Sequence, residues 1–120
     1  MTTAAEGKPV NKYRNIKSDG FDSQKEKRRY EDLLLMQYAG EIRDLNRQVR
    51  FTLTPNMHGK YRNEREAYYV ADFTYYKVNK FGQDEYVVED VKSEYTRNLP
   101  QYKLKRKLML YKYNISILET

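Results

Sequence analysis

Two stretches of aromatic and β-branched residues, at 68–78 and 85–92, constrain the fold more than any other feature of the sequence. Both have the composition of β-strands, and a short polar segment containing Gly82 separates them. They therefore predict a β-hairpin, in which side chains two residues apart share one face of the sheet. Other parts of the chain have to cover this hairpin with further layers.

Helix signals stand on both sides of the hairpin. Residues 23–38 begin with a capping box and are followed by Gly40, which is placed to end a helix. Residues 100–113 begin with a proline at the first helical position. Two further strands are expected at 42–53 and 115–118. The order α-β-β-β-α-β predicts an α/β fold with a central mixed sheet flanked by helices.

Length and composition limit the class of protein. The chain has 120 residues, enough for one ordinary core but not for two. It has no cysteine, which excludes disulfides and thiolate metal sites. No apolar run predicts a signal peptide or a membrane span, so we expect a cytoplasmic protein. We interpret residues 1–20 as a flexible basic arm and residues 21–120 as the folded domain.

The second predicted strand carries the residues of greatest chemical interest. Alternation places Asp90 and Lys92 on one face and Glu89 on the other. Asp72 lies on the partner strand, and an acid within a strand needs a counter-charge or a metal. Two such carboxylates would bind Mg²⁺, and Lys92 would orient a water or stabilise developing negative charge. The alternative is an ordinary surface ion pair between Asp90 and Lys92.

Glu26 adds a third acid to this group. It shares a helical stripe with Tyr30 and Leu33, so we expect it to point towards the sheet. There it would hold a metal or its water. The competing interpretation is a purely structural one, in which Glu26 completes the capping box with Ser23.

The second predicted helix carries charge of one sign. It has five basic residues and no acid between positions 100 and 114. Lys103, Arg106 and Lys107 fall at i, i+3 and i+4, on one face of a regular helix. DNA phosphates are natural ligands of such a face, and the net charge of +6 favours a polyanionic partner. A merely solvated face is the alternative. Arg29 and Arg97 are two further candidate DNA contacts.

The same helix is expected to turn an apolar stripe inwards. This stripe consists of Leu104, Leu108 and Tyr111.

These motifs together resemble a small phage and prophage family of unknown function that is assigned to the PD-(D/E)xK nuclease superfamily. The similarity covers about residues 11–118, and no single motif in it is specific. The matching segments, in chain order, are GFDSQKE at 20–26, YVADF at 69–73, EDVK at 89–92 and LKRKL at 104–108.

The resemblance implies a restriction-endonuclease-like core and a Mg²⁺-dependent nuclease, with Mn²⁺ as a substitute. Glu26 matches the helix acid, Asp72 the first strand acid, and Asp90 with Lys92 the D-x-K pair. Two departures stand out: Asp90 is the shorter of the two acids allowed, and Ser93 replaces an expected glycine.

The expected function is therefore a phage-type DNA endonuclease acting in the cytoplasm of a host cell. Junction resolvases are among the candidates, and the expected partner is duplex or branched DNA. A homodimer is expected because one acid cluster cuts one strand. Two alternatives are a non-catalytic DNA-binding module on the same fold and a structural or adaptor phage protein.

Overall fold

A computed structural model of the protein describes residues 20, 21 and 23–120. The predicted arm, apart from Gly20, lies outside the described residues. The elements in chain order are α1 (Gln24–Tyr38), β1 (Ile42–Thr54), β2 (Met57–His58), β3 (Asn63–Glu64), β4 (Ala67–Lys77), β5 (Glu85–Asp90), α2 (Glu94–Arg97), α3 (Pro100–Tyr113) and β6 (Leu118–Glu119).

Four of the strands form one mixed sheet in the order β1-β4-β5-β6. β4 pairs antiparallel with both β1 and β5, and β6 pairs parallel with β5. The predicted hairpin is thus β4 and β5, joined through the turn at Gly82. The α/β class and the mixed sheet are confirmed, and β5 ends at Asp90, two residues before the predicted end.

α1 begins and ends as its sequence predicts. The Glu26 N–H donates to the Ser23 side chain over 3.0 Å, and Gly40 adopts a positive φ of 83° just beyond the last turn. In the part of the chain that the structure describes, no helix is both long and apolar enough to cross a membrane.

The two long helices cover opposite faces of the sheet. One core cluster contains Leu33 of α1, and Val87 of β5 packs against it. The other contains Tyr102 and Met109 of α3 together with Val88. Because Val87 and Val88 are neighbours on one strand, the two clusters lie on its two sides.

The alternation of side chains along β4 is reversed at Asp72. Ala71 belongs to the cluster beneath α3, whereas Phe73, two residues further on, belongs to the cluster beneath α1. Opposite Asp72 in the β1–β4 register lies Gln48, whose φ is +53°. Such a conformation is uncommon for a residue other than glycine and departs from an extended strand. The pairing register is continuous on both sides of Gln48, so the irregularity is one of backbone conformation, and it lies opposite the point where β4 changes face.

The predicted inner stripe of α3 is confirmed at Leu108, which packs against the core, and wrong at its other two positions. Leu104 is 58% exposed and Tyr111 88% exposed, whereas Tyr102 and Met109 are buried. Between those two positions, Lys105 and Arg106 are half-buried. Lysine and arginine can bury their aliphatic stems while the charged groups stay near solvent, so polar residues occupy the inward stripe.

Two polar segments contain short regular elements. Residues 93–98 hold α2, which begins with a capping box between Ser93 and Thr96. Residues 55–66 contain the small antiparallel pair β2 and β3. The last strand lies at Leu118–Glu119 rather than at 115–118, because Ile117 turns into the core beneath α3.

Candidate active site

Asp72 and Asp90 face each other across the hairpin at the end of β5. The register that pairs Phe73 with Glu89 brings them opposite one another one step further along. Their carboxyl groups lie within hydrogen-bonding reach. Asp90 is 1% exposed and Asp72 is half-buried, so the pair is reached from solvent at Asp72.

Asp90 is held by two donors. The Tyr69 hydroxyl donates to its Oδ2 over 2.5 Å, and the Lys92 Nζ lies 3.3 Å from the same oxygen. Burial and then the charge of Asp90 raise the pKa of Tyr69, so the phenol stays a donor. The Lys92 ammonium also lies 4.7 Å from the centre of the Tyr102 ring. Lys92 is thus fixed beside the acids as predicted.

Asp72 carries the most perturbed carboxyl group of the site. Burial raises its pKa well above the ordinary value, and the hydrogen bond and charge of Asp90 and the charge of Glu26 raise it further. The Val91 N–H donates to Asp72 over 2.9 Å and opposes this effect only in part. Among the described residues, Lys92 is the lysine that forms an ion pair with these acids.

Glu26 reaches the site through Gln48. The Glu26 side chain is 3% exposed, which confirms that it points towards the sheet. The Gln48 Nε2 lies 3.2 Å from Glu26 Oε2 and 3.4 Å from Asp72 Oδ1, and so bridges the two acids. Gln48 can bridge the two acids because it lies opposite Asp72, at the point where β4 changes face.

Glu89 lies on the opposite side of the sheet from Asp90, as alternation predicts. It accepts a bidentate pair of bonds from Arg29, with distances of 2.5 and 3.1 Å, and further bonds from Tyr75 and Thr120. Arg29, a predicted DNA contact, is therefore committed to a buried acid away from the site.

The predicted basic face of α3 is divided. Lys103 and Lys107 are exposed. Arg106 instead turns to Glu119 of β6, with Nη1 3.2 Å from Oε2, and the Tyr102 hydroxyl donates to the same oxygen over 2.5 Å. Burial disfavours the charged form of Glu119, but these two bonds outweigh it and lower its pKa.

Arg97 reaches the site from α2. Its Nη2 lies 3.5 Å from the Lys92 carbonyl oxygen. Its buried Nε has no hydrogen-bond partner among the described residues.

The donor set suits a hard divalent cation in type. Asp72 and Asp90 offer carboxylate oxygens, the ligands that Mg²⁺ prefers, and Mg²⁺ needs few protein ligands because it retains water. Within residues 20–21 and 23–120, no three acid, histidine or cysteine side chains already stand together as a metal-binding group. The fit therefore rests on the two aspartates, with Glu26 beyond the Gln48 bridge.

Two residues of the site escaped the sequence analysis. Tyr69 lies three positions before Asp72, and regular alternation would place the two on opposite faces. Gln48 looks like one polar residue of a half-buried strand. Both lie at the acids where β4 changes face opposite the positive φ of Gln48. The residue type at 48 does not indicate this conformation, since glycine or asparagine is the usual signal of a positive φ.

Fold and site together define the class of protein. It is an α/β protein in which a buried aspartate faces a half-buried one, with a lysine at the end of a central strand. The chain belongs to the family described as Protein of unknown function (DUF1064), whose model matches residues 8–118. No curated protein and no solved structure matches the chain.

Proposed function

We propose that this protein is a Mg²⁺-dependent DNA nuclease with a restriction-endonuclease-like core of the PD-(D/E)xK type. The observation that carries the proposal is the meeting of Asp72, Asp90 and Lys92 across the hairpin, with Glu26 joined to them through Gln48. Three separate elements, α1, β4 and β5, contribute these residues. An accidental surface pair of Asp90 and Lys92 would not bury the aspartate almost completely.

The energetic state of the site supports a role in binding a cation. Two carboxyl groups held together with one lysine cost folding free energy unless a proton or cation joins them. The sheet nevertheless supplies further rigid partners to both acids, through Tyr69 and the Val91 N–H. An electrostatic cost that the folded protein retains between neighbouring acids is typical of functional sites.

Each residue then has a distinct task. Asp72 and Asp90 would hold Mg²⁺, which supplies Lewis-acid polarisation of a phosphodiester and acidification of a water. Lys92, fixed by Asp90 and the Tyr102 ring, would orient the attacking water or stabilise the charge that develops on the phosphate. Gln48 would keep Glu26 and Asp72 in a constant relation.

DNA is the proposed partner because the basic residues near the site face outwards. Lys103 and Lys107 are exposed on α3, and the chain carries a net charge of +6. Within this proposal the protein acts as a homodimer on duplex or branched DNA, junctions included, in the cytoplasm of a phage host. Two active sites related by twofold symmetry would cut two strands.

The proposal is tested by incubating the purified protein with linear, flapped and four-way DNA, in Mg²⁺, Mn²⁺ or EDTA. We expect cleavage of at least one substrate with either metal and none in EDTA. Asp72→Ala should abolish cleavage but retain DNA binding, and Asp84→Ala, a half-buried aspartate away from the site, is the matched control. Absence of cleavage of every substrate would refute the proposed nuclease function.

A non-catalytic DNA-binding module is the second candidate. The observation that favours it is that the described residues contain no ready-made group of three metal ligands. In that case Mg²⁺ would change neither the DNA nor the stability of the protein, while salt-dependent DNA binding would persist.

A further inference from the structure

A groove opens directly beside the proposed active site, between β4 and the start of α3. Its volume is about 650 Å³, within the usual range of ligand pockets. Tyr68, Leu99 and Tyr102 supply much of its apolar wall, and Lys92 and Lys105 also line it. The groove is therefore continuous with the acid cluster through two shared residues, Tyr69 and Lys92.

The lining of the groove carries positive charge. It includes two lysines and no acid. Lys92 is paired with Asp90 at 3.3 Å, and the charge that acts on Lys105 is that of Lys92. Burial, and then the charge of Lys92, lower the pKa of Lys105, which an anionic ligand would reverse.

Aromatic side chains accompany these cations. Lys105 Nζ lies 5.7 Å from the centre of the Tyr68 ring, and Arg50 lies over the same ring at 3.8 Å. Tyr68 and Leu99 are 39% and 36% exposed, so an incoming group can touch both. Flat apolar surface beside positive charge is the combination that binds a nucleobase together with its phosphate.

We propose that this groove binds an unpaired nucleotide of the DNA substrate next to the phosphodiester that faces Asp72 and Asp90. The base would lie against Tyr68 and Leu99, and its phosphate would meet Lys105. A base stacked within a duplex cannot enter the groove without leaving its base-pairing partner, and this unpairing costs free energy.

This inference rests on the proposed nuclease function and narrows its substrate. The preferred DNA carries single-stranded character at the cleavage site, as in an overhang, flap or branch. Fully paired duplex should bind mainly through phosphate contacts and therefore more weakly.

The test measures DNA binding in EDTA, so that cleavage plays no part. The probes are a duplex with a single-stranded thymine overhang and the same duplex with blunt ends, both labelled for fluorescence anisotropy. We expect the overhang probe to bind about ten-fold more tightly, because it makes one base contact that the blunt probe lacks.

Two groove variants and two matched controls follow. Tyr68→Ala and Lys105→Gln should each reduce the preference to about two-fold or less. Tyr38→Ala and Lys80→Gln, exposed residues of the same types away from the groove, should keep it. Circular dichroism confirms folding of all four, and Lys105→Gln tests the groove even if Tyr68→Ala does not fold.

Equal binding of both probes by the unaltered protein would overturn the inference. So would a preference that survives in both groove variants, or a loss that affects the two probes equally. These results are distinct from failure of the nuclease proposal: overhang preference without Mg²⁺-dependent cleavage refutes only the nuclease, whereas cleavage without overhang preference refutes only the groove.

Discussion

Asp72→Asn should make the protein more stable in the absence of divalent metal. Burial and the neighbouring Asp90 raise the pKa of Asp72, so the folded state keeps the proton of Asp72 to a higher pH than the unfolded state does. At a pH above both pKa values, each unit by which the pKa of the folded state exceeds that of the unfolded state lowers the free energy of unfolding by about 1.4 kcal/mol. Asparagine avoids this cost, and its oxygen can still accept from the Val91 N–H.

The sign of the pH dependence follows from the raised pKa. The stability contribution of Asp72 is fully present below its ordinary pKa of 3.8 and is lost as the pH rises through the higher folded value. The advantage of Asp72→Asn should therefore be absent near pH 3.5 and should grow towards pH 8. We expect a gain of at least about 1 kcal/mol there, or about 4 °C in Tm.

Urea denaturation from pH 3.5 to 8 measures this difference, and Asp84→Asn is the control with the opposite sign. The pKa of Asp84 is lowered, mainly by its bond from Arg43, so its contribution is present above the ordinary pKa and lost as the pH falls. At a Mg²⁺ concentration ten times the dissociation constant, the unaltered protein should recover about 1.4 kcal/mol and the variant nothing. A variant that is less stable than the unaltered protein at pH 8 in EDTA would refute the reasoning.

Three other predictions concern the stability of the protein, its affinity for Mg²⁺ and its oligomeric state. Glu89→Gln should lower the free energy of unfolding by about 3 kcal/mol in urea, because it breaks the buried pair with Arg29; an unchanged midpoint would contradict this. Gln48→Ala should weaken Mg²⁺ binding by about ten-fold in calorimetric titration, since it removes the bridge between Glu26 and Asp72, and equal affinity would exclude that role. Light scattering should show a dimer on four-way DNA, whereas a monomer both free and bound would favour nicking.

The hairpin and the facing aspartates could be predicted because they depend on local rules. Aromatic and β-branched runs define β4 and β5, and the turn at Gly82 fixes which residues lie opposite one another. Alternation within β5 then separates Glu89 from Asp90. Both steps use only neighbours in sequence, and the structure confirms this part of the geometry.

The inward face of α3 could not be predicted from apolar spacing. Arg106 lies on it because it pairs with Glu119, which the pairing of β6 with β5 places beneath the helix. Lys105 lies on it because it lines the groove beside Tyr68. The same tertiary pairing places Arg106 against Glu119 rather than among the exposed lysines. A single helix carries no signal of either contact.

The irregular backbone at Gln48 is the other feature that the sequence conceals. The alternation of β4 is reversed opposite it, at Asp72, where Tyr69 bonds to Asp90 and Glu26 approaches from the face of α1. Uniform alternation still places Asp72 opposite Asp90, and for this reason the aspartate pair was predicted although the residues that support it were not.

The most direct test of the proposed active site compares two neighbouring acids. Single-turnover cleavage of one DNA substrate at saturating Mg²⁺ is measured for Asp90→Asn and Glu89→Gln, at a temperature where circular dichroism shows both folded. We predict that Asp90→Asn loses several orders of magnitude in rate, because it removes a metal-binding carboxylate, and that Glu89→Gln changes the rate at most a few-fold. A dead Glu89→Gln protein beside an active Asp90→Asn protein would contradict the assignment and move the catalytic site to the other face of the sheet.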